Sequence, residues 1–343
     1  MMGFSVFAPV IIPTLCRFEH FKRCVESLKR CTGAEYTDVY IGVDYPSQES
    51  QWEGYRKICN YVNEITGFKN FNVILRDCNF GAKKNAIDLL KRVKDKYDRC
   101  IFSEDDNEFA PNFLEYMNGG LERYKDTPQV LRICGCLMPW GINADYYLDS
   151  YPFNAFPAKD YNALGIGIWF SKFYPIPYTK DSILKSFPLT VKTMRYGYWQ
   201  AITRFIHQIY KESQLPDVCL RLYCAFHGYY CIFPRISKVK NWGYDGTGIN
   251  SDNNPHWIDV VTLDTSDSFT FDDIEIKDYG EVKEFIGRLY GAQGIRKKLR
   301  VINVYLYYRL TGRRMKDIPK GQRFKYLFSR RASTLNEYDK GSQ

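Results

Sequence analysis

The sequence predicts an α/β protein: a mostly parallel sheet flanked by helices, followed by a basic helical C-terminal region. Three observations carry this. The first hundred residues alternate apolar runs of strand length with amphipathic stretches of helical period, the pattern of βα repeats. The opening run, Phe4–Pro13, is apolar without alternation, as in a strand covered on both faces. The formal charge of +9 is also unevenly placed. Residues 281–343 carry 16 Lys/Arg against 5 Asp/Glu, whereas the preceding 280 carry 32 against 34.

The elements follow in order. Phe4–Pro13 is the first strand. Arg17–Cys31 is a helix, with Phe18, Phe21, Val25 and Leu28 on one stripe and Thr14 as its cap. Val39–Asp44 is the second strand, Gln51–Thr66 a helix and Phe71–Arg76 the third strand. Lys83–Tyr97 is a helix striped by Ala86, Leu90, Val93 and Tyr97. The fourth strand runs from Arg99 to Ser103, and Pro111 suits the first turn of the next helix. Beyond residue 125 the pattern loosens. Val130–Gly135 and Cys231–Pro234 read as strands, Ala163–Trp169 as a Gly-rich apolar segment, Trp199–Glu212 as a helix and Asn241–Asn254 as a long polar loop. From residue 281 the chain is helical, basic and aromatic. This divides it into an α/β domain over 1–265 and a C-terminal region over 266–343.

Composition sets bounds. A chain of 343 residues, 45% hydrophobic and 25% charged, is that of a globular protein with one large domain or two ordinary ones. The near-neutral body argues against a nucleic-acid partner. The positive appendage points instead to an anionic surface. Eleven Cys without a CxxC pair show no metal or disulfide framework, and reduced cytosolic thiols are the simplest reading. Phe4–Cys16 lacks a basic leader and a small-residue cleavage site, so no signal peptide is expected. No stretch reaches the roughly 18 apolar residues of a membrane span.

The fourth strand ends in Glu104-Asp105-Asp106. Three consecutive carboxylates at a strand end repel one another unless something positive sits there. Asp106 is the metal-ligand candidate, since Mg²⁺ and Mn²⁺ take carboxylate oxygens together with ligand phosphates. The alternative is that Asp106 or Asn107 caps the following helix. Asp44 closes the second strand and could accept a hydrogen bond from a uracil imide, or simply start a turn. Arg17 could contact base or phosphate, or be an ordinary first-turn residue. Asn79-Phe80-Gly81-Ala82-Lys83-Lys84 opens a helix after the third strand, where Gly81 permits close backbone approach to a ligand; the alternative is a plain strand-to-helix loop whose lysines are solvated. In a parallel sheet ligands bind beyond the carboxyl ends of the strands, so Thr14 to Arg17, Asp44 and Glu104 to Asp106 should converge on one edge.

An apolar strand ending Pro13-Thr14-x-x-Arg17, a strand ending in Asp44, an Asn79-x-Gly81 loop and then Glu104-Asp105-Asp106 resembles the layout of GT-A glycosyltransferases, which have a Rossmann-like sheet. The stretch from Phe102 to Phe113 is most similar to that of N-acetylglucosaminyltransferase I and its bacterial relatives. Gly228 to Ser237 resembles that family's Cys-Ile-x-Pro-x-Ile-Ser segment, with Trp242-Gly243 after it, and Gly165 to Trp169 resembles its Gly-x-Gly-Trp segment. The resemblance spans roughly residues 4–250 in the family's order.

It implies inverting transfer from a UDP-sugar to a glycan or lipid-linked acceptor, with Mn²⁺ or Mg²⁺ on Asp106. It implies that Glu104 and Asp105 help hold the metal or ribose, and that Asp44 reads uracil. Thr14, Arg17, Gly81 and Lys84 would line the donor site, and Trp169, Trp242 and Gly243 the acceptor side or lid. The family's base lies about a dozen residues before the Cys-Ile-x-Pro segment, where Asp217 is the only carboxylate here. The family's paired Asp and Trp are missing, and Asp217 could instead cap a helix after Pro216. Loop 241–254 falls where the family has a mobile lid, and His227 or His256 could reach metal or pyrophosphate.

Bacterial surface-polysaccharide synthesis is the implied setting. In the tail, Arg296-Lys297-Lys298-Leu299-Arg300 and the later cations are interleaved with Tyr and Phe, which suits an anionic membrane surface. Two rival readings stay open. A sugar nucleotidyltransferase would need a Gly-rich phosphate loop that Pro13–Arg17 does not provide. A non-catalytic glycan-binding protein would account for the altered segment around Asp217.

Overall fold

The computed structural model describes residues 7–137, 148–172, 186–200, 202–203, 206, 216–248, 254, 256–291 and 294–323. The chain forms two compact units. One is Met1–Pro175 with Tyr223–Phe285, the other Ile176–Leu222 with Ile286–Gln343.

The first unit holds a mixed, mostly parallel sheet of eight strands. These are β1 (Val10–Thr14), β2 (Asp38–Val43), β3 (Asn70–Leu75), β4 (Arg99–Phe102), β6 (Val130–Cys134), β7 (Ala155–Ala158), β8 (Ile166–Trp169) and β9 (Tyr230–Pro234). Their order across the sheet is β3-β2-β1-β4-β8-β6-β9-β7. The four strands predicted from the βα alternation run parallel, and β8 and β7 run against their neighbours. A separate antiparallel pair joins β5 (Asn107–Phe109) to β10 (Val239–Asn241).

Helices α1 (Phe18–Lys29), α2 (Trp52–Tyr61), α3 (Gly81–Lys94) and α4 (Phe113–Arg123) connect these strands. α1 buries Phe21, Cys24, Val25 and Leu28, which join Val10, Ile12, Val39, Ile41 and Ile101 of the sheet in one core. α3 lies close on β2, because a Cβ on Gly42 would stand 2.5 Å from Asn85 Oδ1. The same Asn85 donates to the Gly42 carbonyl at 2.8 Å.

Pro13 sits inside a central strand without breaking it. The carbonyls of Pro9 and Ile11 accept from Ile101 and Ser103, so by alternation Pro13 faces the β4 side. The pairing with β2 therefore runs on through Pro13 to Thr14, and the pairing with β4 stops at Ile11, before the residue that has no N–H to give.

Several element boundaries differ from the sequence reading. α1 starts at Phe18 with Arg17 at its N-cap, and no side-chain cap bond is made there. Thr14 belongs to β1 and is not that cap. α4 is entered from Asn112, so neither Asp106 nor Asn107 caps it. The helix predicted over Trp199–Glu212 lies largely outside the described residues, of which 199, 200, 202, 203 and 206 are helical, and residues 4–6 of the first apolar run also lie outside them.

The sequence reading puts its boundary at 265; the first compact unit holds Met1–Pro175 and continues to Phe285, and Ile176–Leu222 belongs to the second. Leu263 bridges to Ser237, Asn112 donates to Ser268 O at 3.1 Å, and Phe269 and Phe271 pack on the ring of Tyr116 at 5.0 and 5.3 Å. In the second unit, helix Gly294–Thr311 buries Val301, Tyr305, Tyr307 and Tyr308. Among the described residues no helix is long and apolar enough to cross a membrane.

Candidate active site

Strands β1, β2, β3 and β4 end on one edge of the sheet. Thr14 is level with Val43, and Phe102 is level with Ile11. The chain leaving β4 therefore carries Asp105 up beside Thr14, whose hydroxyl donates to Asp105 Oδ2 at 2.7 Å. Arg17, three residues further on, turns back over the same edge. Its Nη2 donates to Asp105 Oδ1 at 2.6 Å and to Asp106 Oδ2 at 2.8 Å. Thr14, Arg17, Asp105 and Asp106 are thus one cluster, as the strand-end argument expected. Glu104 is exposed beside it.

Burial raises the Asp105 pKa above the usual 3.8; the Arg17 guanidinium opposes that shift and the Asp106 carboxylate adds to it. For Arg17 burial alone would lower the pKa, but Asp105 and Asp106 outweigh it and hold the guanidinium firmly charged. Arg17 Nη1 is buried without a hydrogen-bond partner. A buried unpaired donor facing two carboxylates is a place where an oxygen-rich ligand gains a bond.

The second wall comes from the β5–β10 pair, which the sequence reading did not find. Asn241 Nδ2 donates to Asp106 Oδ1 at 2.6 Å and to Asn107 Oδ1 at 2.9 Å. Its Oδ1 accepts from the Gly243 N–H at 3.0 Å, and Trp242 N–H donates to the Asp106 carbonyl at 2.8 Å. The Trp242 indole donates to Glu108 Oε2 at 2.7 Å, while the Arg23 guanidinium lies 4.2 Å from its ring centroid. His20 Nε2 stands 3.1 Å from Asp245 Oδ2. Trp242 and Gly243 are therefore at the site, and Asn241, Asn107, His20 and Arg23 are additions. The sequence signal for Asn241 was its place at the start of the 241–254 loop, directly before Trp242-Gly243.

Asp44 is buried at the end of β2. Its Oδ1 accepts from the Tyr45 N–H at 2.9 Å and the Phe80 N–H at 2.8 Å, so it fastens the loop that opens α3 to the sheet edge. Gly81 starts α3 at φ 73°, with open space where a Cβ would be, and Lys84 Nζ sits 3.9 Å from the Phe80 ring centroid. Trp169 is not at this edge. It is 3% exposed, and its indole donates to the Leu121 carbonyl at 3.0 Å, which makes it part of the core.

His227 sits among Tyr223, Phe226 and Tyr229 at the end of helix Pro216–His227, and His256 opens the short helix His256–Asp259. That Pro216 helix has Asp217 in its first turn; the Asp217 side chain lies outside the described residues, as do 249–253 of the proposed lid.

Carboxylate oxygens are the donors a hard divalent cation takes, but at Asp106, Oδ1 already accepts from Asn241 and Oδ2 from Arg17, so an ion there would share or displace these bonds. Gly243 also keeps room there: a Cβ at that residue would fall inside van der Waals contact of Asp106 Oδ2. Among the described residues no three His, Cys, Asp or Glu side chains gather as ligands, so such an ion would draw its remaining ligands from bound phosphate and water. In the structure Arg17 supplies the positive charge on that oxygen. Gly243→Ala is expected to destabilise the chain by about 1–3 kcal/mol, because the neighbours are a buried carboxylate and the Asn241 amide that holds it. Urea unfolding of the variant checks this.

No family model matches the sequence, and no curated protein matches it. Solved glycosyltransferases are similar in fold at low identity. Staphylococcus aureus TarS 1–349 in complex with UDP is 16% identical, over 44% of this chain and 34% of that one, with a TM-score of 0.25. The mannosyltransferase PcManGT from Pyrobaculum calidifontis, in complex with GDP-Man and Mn²⁺, is 9% identical over 66% and 71%, with a TM-score of 0.37. Mouse xyloside xylosyltransferase 1 is 12% identical over 48% and 68%, with a TM-score of 0.27. The chain spans about a third of the length of the first of these.

Proposed function

We propose that this chain is a glycosyltransferase of GT-A type that binds a nucleotide-sugar donor, a UDP-sugar, at the carboxyl edge of β1, β2 and β4. The observation that carries the reading is the meeting of Asp105 and Asp106 with Thr14 and Arg17 at that edge. Buried carboxylates at parallel strand ends, with a buried unpaired guanidinium N–H among them, are a polar set for a ligand carrying phosphates and ribose.

Asp44, whose Oδ1 accepts two backbone N–H groups, would read the base. Asp106 would hold Mn²⁺ or Mg²⁺, with Glu104 and Asp105 beside it. When bound, such an ion offsets diphosphate charge and makes the nucleoside diphosphate a better leaving group. Arg17 binds and orients the diphosphate, and the Trp242-Gly243 turn closes the site on the other side. Asp217 is proposed as the base that takes the proton of the acceptor hydroxyl in an inverting transfer, on the strength of its sequence position. The acceptor would be a glycan or a lipid-linked sugar, and the process the synthesis of a bacterial surface polysaccharide, as in the resemblance to N-acetylglucosaminyltransferase I and its bacterial relatives.

Thermal unfolding with a panel of nucleotide sugars and Mn²⁺ tests the reading. One UDP-sugar at 100 times its Kd is expected to stabilise the fold by about 2.7 kcal/mol, and Asp106→Ala to abolish that gain. A panel in which no nucleotide sugar stabilises the wild type would reject it.

A further inference from the structure

Nine large hydrophobic side chains stand exposed among the described residues, and four of them, Ile295, Leu299, Leu306 and Leu310, are on helix Gly294–Thr311. Their exposures run from 41% to 69%. Their spacings of four, seven and four residues put them on one stripe, with half-buried Ile302 filling the gap. Of the buried residues, Val301, Tyr305 and Tyr308 lie away from the stripe and Tyr307 lies toward its Arg296 side. The helix therefore has two apolar faces, one covered and one bare. Scattered exposed leucines need no explanation, but a continuous stripe does.

Charge identifies what covers it. Arg296, Lys297, Lys298, Arg300 and Arg309 lie within the helix and Arg313 and Arg314 directly follow it, while residues 294–316 contain no Asp or Glu. On a helical wheel Arg296 borders the stripe on one side with Arg300 further round, and Arg309 and Lys298 border it on the other, where Lys298 Nζ lies 5.5 Å from the Trp199 ring centroid. An apolar stripe between two rows of cations is the arrangement of a helix lying in the plane of a membrane interface. It differs from a spanning helix, which five cations in 18 residues rule out here.

We infer that the face of helix Gly294–Thr311 bearing Ile295, Leu299, Leu306 and Leu310 docks on an anionic lipid surface, with the flanking Arg and Lys meeting the headgroups. Each cation near such a surface adds to binding and each buried leucine adds an apolar contribution, so neither set alone should suffice. The inference is independent of the proposed chemistry, because the donor edge contributes no residue to it.

Flotation of the full chain with vesicles tests it. The wild type is expected to float with equal parts phosphatidylglycerol and phosphatidylcholine, to stay behind with phosphatidylcholine alone, and to be released by 1 M salt (Debye length about 3 Å). The quadruple change Ile295→Ser, Leu299→Ser, Leu306→Ser, Leu310→Ser alters only exposed side chains. It should lose binding on the order of 100-fold while keeping the wild-type melting temperature and nucleotide-sugar stabilisation. Arg296→Glu with Arg300→Glu should weaken binding to anionic vesicles on the order of 100-fold or more. Equal recovery of the quadruple variant, or equal binding to neutral vesicles, overturns the inference. So does a wild-type dimer in sedimentation that dissociates in the quadruple variant while neither protein floats; the stripe would then belong to a second copy of this chain.

Discussion

Arg17→Met is expected to lower stability by about 3–5 kcal/mol at neutral pH, the range for removing one partner of a buried ion pair. The side chains of Asp105 and Asp106 are 10% and 9% exposed, and a single Arg17 nitrogen bonds to both. Without it, the donors left to two adjacent buried carboxylates among the described residues are Thr14 and Asn241. Neither of these is charged, so the mutual repulsion is left uncompensated.

The sign of the pH dependence follows from Asp105, whose pKa burial already raises above 3.8 in the folded chain. A carboxyl with a raised folded pKa binds a proton more readily folded than unfolded. Its contribution is fully present below the unfolded value and is lost as pH rises through the folded one. Removing Arg17 takes away the influence that opposes the rise. The deficit of Arg17→Met should therefore be largest at pH 8 and shrink as pH falls toward 4. Urea unfolding at pH 4, 6 and 8 reads this directly. Adding Asp105→Asn to Arg17→Met should restore most of the loss at pH 8. A variant as stable as wild type at every pH would mean that the guanidinium does not balance this edge.

That edge was legible in the sequence because local rules wrote it. Continuous apolar runs ending in Thr14, Asp44 and Ser103, separated by striped helices, leave parallel strands as the packing solution, and parallel strands end together. The βα alternation alone thus places Thr14, Arg17, Asp105 and Asp106 near one another.

What could not be read depended on partners distant in sequence. β5 and β10 have three residues each and are joined across 130 positions, from Phe109 to Val239, too short to carry a periodic signal. Asn241 therefore read only as the first residue of the lid loop, and not as a partner of Asp106. Trp169 failed for another reason. The resemblance of Gly165 to Trp169 to a Gly-x-Gly-Trp segment implies an acceptor or lid role, yet the Trp169 indole N–H is satisfied by Leu121 O at the end of α4, and only the tertiary pairing of β8 against β4 and β6 puts it there. The cap alternative for Asp106 failed because β5 intervenes before the helix, which moved the N-cap to Asn112.

Asp264→Ala is expected to destabilise the chain by about 3–5 kcal/mol, for a reason that also reaches the candidate site. Lys238 is 2% exposed and its ammonium is paired with Asp264 Oδ2, which also accepts from Asn112 at 3.0 Å. Asp264 Oδ1 takes the Ser266 N–H at 2.9 Å. Burial pushes the Asp264 pKa up, but Asn112, Lys238 and Ser266 prevail and hold it at about 2. In the wild type this contribution is present above the unfolded value of 3.8 and is lost as pH falls through about 2.

Removing the carboxylate strands the ammonium 4.5 Å from the Phe269 centroid, and a ring face offers only about 0.5–2 kcal/mol in return. Burial already lowers the Lys238 pKa, and Asp264 is what opposes that. In Asp264→Ala the lysine therefore sheds its proton more easily folded than unfolded, and stability should climb as pH rises toward 10.5. Lys238→Met combined with Asp264→Ala should be more stable than Asp264→Ala alone, since no unpaired charge stays buried. Lys238 lies three residues before Asn241, and its backbone bonds to Ala110 and Gly135 set the course of β10. Loosening it should weaken the Asn241 hold on Asp106, so the nucleotide-sugar stabilisation of Asp264→Ala should fall at pH 7 and recover in the double variant.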